Sequence, residues 1–169
     1  IDQESKNKKL QENINQIKNQ IKNLGGEISE DEKDLNKLKN RYEKLLIDNI
    51  LKDQKKNEIK DEVIQKIKIR FQKIKGFPTK ELRSVIDQGK KDLKEGIIIA
   101  YAIQEPKLGI AVGITKELSK KISAVELVKI ASSVLGGTGG GGRDDFAQAG
   151  GEKIDKIEES YREILKRIS

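Results

Sequence analysis

Apolar residues in the first third of the chain recur at a narrow, regular spacing. Leu10, Ile14, Ile17, Ile21 and Leu24 step by four, three, four and three residues, the heptad rhythm of a coiled-coil seam. Gly25 and Gly26 interrupt it. "SEDE" then offers a helix restart, with Ser29 as cap and Glu32 returning the bond, and Leu35, Leu38, Tyr42 and Leu45 continue the stripe. Lysine, asparagine, glutamine and glutamate flank so thin a seam that it cannot hold a lone helix together. It has to pair, as an antiparallel hairpin turning at the glycines, with another chain, or both.

From about Asp61 the rhythm changes. In "VIQKIKIRFQKI", Ile67, Ile69 and Phe71 alternate with Lys66, Lys68 and Arg70, which predicts a strand with one apolar and one wet, basic face. Pro78 and Thr79 open a helix whose apolar positions are Leu82, Val85, Ile86 and Leu93. "IIIAYAI" (residues 97–103) is apolar on both faces and predicts a central strand covered on both sides. After a turn at 104–107, residues 108–114 alternate large Leu108, Ile110, Val112 and Ile114 with small Gly109, Ala111 and Gly113, so a tightly packed helix is expected on the small face. "SAVELVKIASSVLG" predicts a buried helix opened by a capping box of Ser123 and Glu126, and an amphipathic helix with Ile154, Ile157, Tyr161, Ile164, Leu165 and Ile168 ends the chain. Between these two helices lies a glycine-rich loop. The expected fold is α+β: a helical hairpin or coiled coil over residues 1–60, then a small α/β domain over 61–169 with a short mixed sheet and packed helices.

Charge divides the chain in the same way. The first 62 residues hold 14 cations and 14 anions, the remainder 21 and 14, so the whole net charge of +7 lies in the second part. Such an excess suits a polyanionic partner, and equally a solvated lysine-rich surface. There is no histidine and no cysteine, which removes imidazole acid–base chemistry, histidine or thiolate metal sites and disulfides. Missing cysteine, no secretory leader and no run of roughly 20 apolar residues lead to an expectation of a cytoplasmic protein without membrane attachment. With no methionine and Ile1 at its start, the chain reads as a piece of a longer one.

The loop "GGTGGGGRDDFAQAGG" (residues 136–151) follows a helix, not a strand, and lacks a Gly-Lys-Ser/Thr end, so neither a P-loop nor a dinucleotide fold fits. A ribbon of bare backbone N–H groups beside Arg143 can form an anion nest for phosphate. A flexible linker would explain the glycines but not "RDDFAQAGG". The adjacent Asp144 and Asp145 point in different directions and make a poor Mg²⁺ site, so no metal is expected.

This stretch resembles the signature near the C-terminus of bacterial-type alanyl-tRNA synthetases, with one additional glycine, Asp144 where proline is usual and Thr138 where lysine is frequent. "FPTKELRSVIDQGKKDLKEGIIIAYAI", "GIAVGITKEL" and "SAVELVKIASSVLGG" extend the resemblance over about residues 64–169. It implies the DHH-associated domain, or C-Ala: a non-catalytic module that docks the elbow of tRNA-Ala to support aminoacylation and editing, with a helical part for homodimerisation. No cofactor is implied for this segment; ATP, Mg²⁺ and Zn²⁺ belong to the parent enzyme, whose catalytic and editing domains are the module's other partners. Stand-alone alanyl-tRNA editing hydrolases end in the same module and remain an alternative, as does a purely structural oligomeriser. DHH phosphoesterases usually carry histidine after the glycine run, where Arg143 stands.

The candidate RNA contacts are Gly137, Thr138, Gly139, Gly140, Gly141, Gly142, Arg143 and Gln148, with Lys66, Lys68, Arg70, Lys90, Lys91, Lys94, Lys120 and Lys121 for phosphates. Each has a plainer reading. Arg143 can pair with Asp144 or Asp145, Gln148 can brace the loop, and the lysines can be solvated surface. Phe146 can stack on a base or sit in the core.

Overall fold

A computed structural model describes residues 2–28 and 33–169. The chain divides into a helical unit ending at Lys52 and a sheet-based unit, Asp53–Ser169. That division precedes the expected boundary at residue 60, because the first strand begins at Asn57.

The helical unit consists of α1 (Asp2–Asn23) and α2 (Leu35–Lys52), packed against each other within the chain. Ile14, Ile21 and Leu38 are buried, with Ile17, Leu35, Tyr42 and Leu45 half-covered around them. The stripe is not used along its whole length: Leu24 is half-buried and Leu10 stays 45% exposed. Gly25 adopts φ +83, and a Cβ at Gly26 would fall 2.5 Å from Leu45, so the glycine pair both turns the chain and lets it pass close to α2. The capping box at Ser29 and Glu32 lies outside the described residues. A core this small leaves little margin. Leu38→Ala removes one of the three buried side chains of this cluster among the described residues, at a cost of about 2–5 kcal/mol. Backbone hydrogen exchange should show α1 and α2 losing protection while the sheet keeps its own.

In the second unit a six-stranded mixed sheet runs in the order β1-β2-β3-β4-β6-β5. Its strands are β1 (Asn57–Ile64), β2 (Ile67–Lys75), β3 (Ile97–Gln104), β4 (Lys107–Ile114), β5 (Gly140–Gly142) and β6 (Phe146–Gly151). All neighbours are antiparallel except β2 and β3, which are parallel. Helix α3 (Leu82–Leu93), entered through a 3₁₀ turn at Thr79–Glu81, supplies that crossover. A short α4 (Lys116–Ser119), α5 (Ala124–Leu135) and α6 (Ile157–Ile168) complete the unit. Among the described residues no helix is long and apolar enough to cross a membrane.

The central strands behave as their composition predicts. Residues 97–103 of β3 and 108–114 of β4 are buried throughout. On one face, Ile97, Ile99, Tyr101, Leu108, Ile110, Val112 and Ile114 join Leu127, Val128, Ala131, Ile157 and Ile164 in the main core. On the other, the small side of β4 receives α3. A Cβ at Gly109 would meet Thr79 at 2.5 Å, one at Gly113 would meet Ile86 at 2.1 Å, and Gly89 of α3 lies equally tight on Ile98. The buried Tyr101 hydroxyl is matched with Ser160 at 2.8 Å, so no polar atom is stranded there.

Three expectations need correction. Charged β1 pairs with β2 through a two-residue turn in which Gln65 and Lys66 both have positive φ, so Lys66 belongs to a turn and not to a strand face. The glycine segment is not a loop: β6 pairs with β4, and β5 folds back on β6. The capping box at the start of α5 is absent, because Ser123 donates to the Asp144 carboxylate at 2.8 Å and Glu126 pairs with Arg167.

Candidate nucleic-acid interface

Helix α5 ends at Gly136, whose left-handed φ of +75 turns the chain back toward the sheet. The buried Ser132 hydroxyl then accepts the Gly139 N–H at 3.1 Å. The glycines that follow divide by environment. A Cβ at Gly137 would lie 2.1 Å from the Gly150 carbonyl, and one at Gly140 only 2.2 Å from the Gln148 carbonyl, so both are packing positions. Gly139 and Gly141 have nothing within 4 Å on their Cβ side and face open space.

Strand β5 is the last in the sheet. Arg143 and Phe146 exchange both backbone hydrogen bonds, at 2.7 and 3.3 Å, closing the β5–β6 hairpin. Bonded pairs alternate along an antiparallel ladder. The N–H groups of Gly140 and Gly142 therefore point away from β6, along the open edge.

Beside this edge, Lys90, Lys94, Lys116 and Arg143 line one surface depression together with Thr115, Ser119, Asp144 and Asp145. Lys90 lies over Gly113 and donates to the Asp145 carbonyl at 3.1 Å, while Arg143 pairs with the Asp145 carboxylate at 3.3 Å. That pair is open to water, with the Arg143 side chain 66% exposed, so it is weak and readily exchanged. The arginine thus has the carboxylate partner of its plainer reading and retains donors facing solvent.

The shelf continues along β6. Its register places Phe146 opposite Gly113 and Gln148 opposite Ala111, on the α3 side of the sheet. Phe146 is half-buried, and the Arg83 guanidinium stands 4.9 Å above its ring. Gln148 lines a second groove with Thr79, Lys80, Gln104, Pro106 and Lys107.

The family described as the DHHA1 domain matches residues 66–169. The chain belongs to the DHHA1 family. It is 42% identical over 103 residues to an alanine–tRNA ligase of Hyphomonas neptunium, covering 61% of this chain and 12% of that protein. An alanine–tRNA ligase of Parvibaculum lavamentivorans is 45% identical over 93 residues, covering 54% and 10%. The chain therefore spans about a tenth of the length of these relatives. Among solved structures, the C-Ala domain of Aquifex aeolicus alanyl-tRNA synthetase aligns with a TM-score of 0.60 and 29% identity, covering 63% of this chain and 96% of that one. RecJ from Thermus thermophilus shares the fold, with a TM-score of 0.51 at 14% identity, over 79% of this chain and 19% of that one.

The DHHA1 domain does not bring all the predicted contacts together. Arg70 is tied up inside it: the guanidinium forks onto Asp61 at 2.9 and 3.0 Å and reaches Asp92 at 2.7 Å, leaving the side chain 12% exposed. The expected wet, basic face of β2 is thus a bridge from β1 to α3. Lys68 and Lys91 are exposed, apart from the depression, and Lys120 pairs with Glu117 at 3.2 Å, with exposed Lys121 beside it. Thr138 is exposed between the packing glycine Gly137 and open Gly139. Conversely, Arg83, Lys116 and Ser132 were not singled out from the sequence. Arg83 and Lys90 stand seven residues apart on one side of α3, with Lys94 in its C-terminal cap, and that spacing is a readable sign of a basic helix edge.

Arg70's hydrogen bond holds the Asp92 carboxyl below its ordinary value. A carboxylate depressed by folding stabilises above its ordinary pKa, and the contribution is lost as pH falls through the folded value. In Arg70→Gln, Asp92 should titrate nearer the ordinary carboxylate range by NMR. Its acid unfolding should begin at higher pH than that of the parent chain.

Proposed function

We propose that this chain is a tRNA-binding, non-catalytic module of an alanine–tRNA ligase, docking the elbow of tRNA-Ala in support of charging and editing. The observation that carries the reading is a single shelf. Four cationic side chains surround one depression, and beside it runs a strand edge with the outward Gly140 and Gly142 N–H groups and with open space over Gly139 and Gly141. Family membership and likeness to the C-Ala domain support it independently. Phosphates would be held by Lys90, Lys94, Lys116 and Arg143, with the Gly140 and Gly142 amides as short donors. Open Gly139 and Gly141 allow RNA backbone to come close. Phe146, capped by Arg83, and Gln148 offer a stacking and a hydrogen-bonding contact on the same side of the sheet. Lys66, Lys68, Lys91, Lys120 and Lys121 would add at most diffuse attraction, and Arg70 would serve the fold.

The helical unit serves homodimerisation as a coiled coil in this reading. Leu10 and Leu46, 45% and 38% exposed, leave apolar surface for a second copy to cover. The chemistry of activation and editing would reside in other domains of the parent ligase, with their own ATP, Mg²⁺ and Zn²⁺.

The test is a titration with tRNA-Ala, a second tRNA and a plain RNA duplex at several salt concentrations. The expected result is a preference for tRNA over duplex, with a log–log salt slope reporting several phosphate contacts. No measurable binding at low salt would leave a structural oligomeriser.

A further inference from the structure

The opposite edge of the sheet is also open, and there the side chains match a second copy of themselves. Strand β1 has β2 on one side only. Its two outward β-branched residues are left in water, Ile59 at 46% and Val63 at 64% exposure. The Lys75 N–H bonds to the Lys56 carbonyl at 2.9 Å, in register with the β1–β2 ladder. By alternation, Glu58, Lys60, Glu62 and Ile64 direct their backbone groups to β2. Ile59, Asp61 and Val63 therefore direct theirs outward, unused within the sheet. An exposed edge of this kind is a template for another strand.

We propose that β1 pairs antiparallel with β1 of a second copy, about a two-fold axis through Asp61. Only registers that set odd residues opposite odd residues join outward N–H and C=O groups. The one centred on Asp61 also matches the side chains on either side of the axis, from residue 59 to residue 63. Ile59 faces Val63 of the second copy, twice, closing the apolar patches over each other. Lys60 faces Glu62 of the second copy, twice, on the other face, where opposite charges directly across a ladder attract. Within its own chain Lys60 also pairs with Glu58 at 3.3 Å, and the Glu62 carboxylate accepts from the Tyr161 hydroxyl. At the axis the two Asp61 carboxylates approach, but each already lies in the fork of its own Arg70. Shifting by two residues in either direction leaves Val63 or Ile59 opposite Asp61, so the sequence selects the central register. The contact is self-complementary, as a two-fold interface requires. It uses residues of the sheet-based unit alone and stands or falls independently of tRNA binding.

Engineered cysteines test the register directly, because the chain has none of its own. In a bonded antiparallel pair the Cα atoms lie about 5.5 Å apart, within disulfide reach. Under mild oxidation, Asp61→Cys should cross-link to itself at the axis, at least tenfold faster than Val63→Cys alone. A mixture of Ile59→Cys and Val63→Cys chains, which keeps Asp61 and its arginine fork, should give a mixed disulfide-linked dimer. Val63→Pro combined with Asp61→Cys should fold, since that N–H has no partner within the sheet, yet lose the cross-link. Equal cross-linking of Val63→Cys and Asp61→Cys would overturn the proposal. So would the absence of any mixed dimer in a folded preparation at tens of micromolar.

Discussion

Replacing Lys90, Lys94 and Arg143 together by glutamate should weaken tRNA binding by about a thousandfold at low salt. A hydrogen bond to a charged group contributes about 1.5 kcal/mol or more, and about 1.4 kcal/mol is tenfold in affinity. Three lost contacts therefore multiply to that order, before any repulsion from the new carboxylates. The log–log salt slope should also become shallower by roughly two to three, one contact at a time. Stability should change little, with the melting temperature moving by only a few degrees. Arg143 and Lys94 are exposed, and Lys90 gives up one hydrogen bond to the Asp145 carbonyl. The same triple reversal on Lys68, Lys91 and Lys121 keeps the net charge identical but lies apart from the depression. It should reduce affinity much less, which separates a docking site from general attraction.

The second large effect distinguishes glycines within one run. Gly137→Ala sets a methyl group 2.1 Å from the Gly150 carbonyl and 2.5 Å from the Ser132 hydroxyl, and neither neighbour can easily give way. The carbonyl belongs to β6, and the hydroxyl is buried while holding Gly139. Overpacking of this kind costs about 3 kcal/mol, or roughly 10 °C in melting temperature for a unit of this size. Gly141→Ala, four positions on, meets no atom within 4 Å. It should be neutral or slightly stabilising, by about 0.4–1 kcal/mol through the unfolded chain. Gly141→Leu should leave melting unchanged yet weaken tRNA binding, because that side chain would stand where RNA backbone approaches. Calorimetry of the three variants, paired with the titration above, reads both effects.

What the sequence discloses follows where side chains alone decide the structure. Strands β3 and β4 were legible because residues 97–103 are apolar on both faces and 108–114 alternate small with large. The resulting prediction of a helix pressed on Gly109 and Gly113 holds to within van der Waals contact. Strand β1 was not legible: "NEIKDEVI" is an edge strand with little to bury, and its turn at Gln65 and Lys66 reaches positive φ without the usual glycine or asparagine. Strands β5 and β6 were hidden for the opposite reason. "GGG" and "FAQAGG" carry almost no apolar periodicity, and their extended backbone is imposed from outside, by the ladder to β4 and by α5 pressing on Gly137, Gly140 and Gly151.

The candidate site divides in the same manner. Arg143, Lys90 and Lys94 could be picked out as candidates because charge is visible in one dimension, and the structure sets them round one depression. Which lysines share a surface could not be read that way, since Lys116 joins Lys90 only after β4 has crossed the sheet. Arg70 reads as a wet-face cation in the sequence because its period-two position says nothing of Asp61 and Asp92, its partners from β1 and α3. Lys66 reads as a strand residue because the turn it occupies has no composition signal.

The most direct measurement is to follow backbone amide resonances of the labelled chain as tRNA-Ala is added at low salt. The backbone amides of Gly139–Gly142, Arg143, Lys90 and Lys94 should shift together with one affinity, while those of β1 stay still. Saturation of binding with the glycine amides unmoved, and the changes gathered elsewhere on the chain, would contradict the proposed docking.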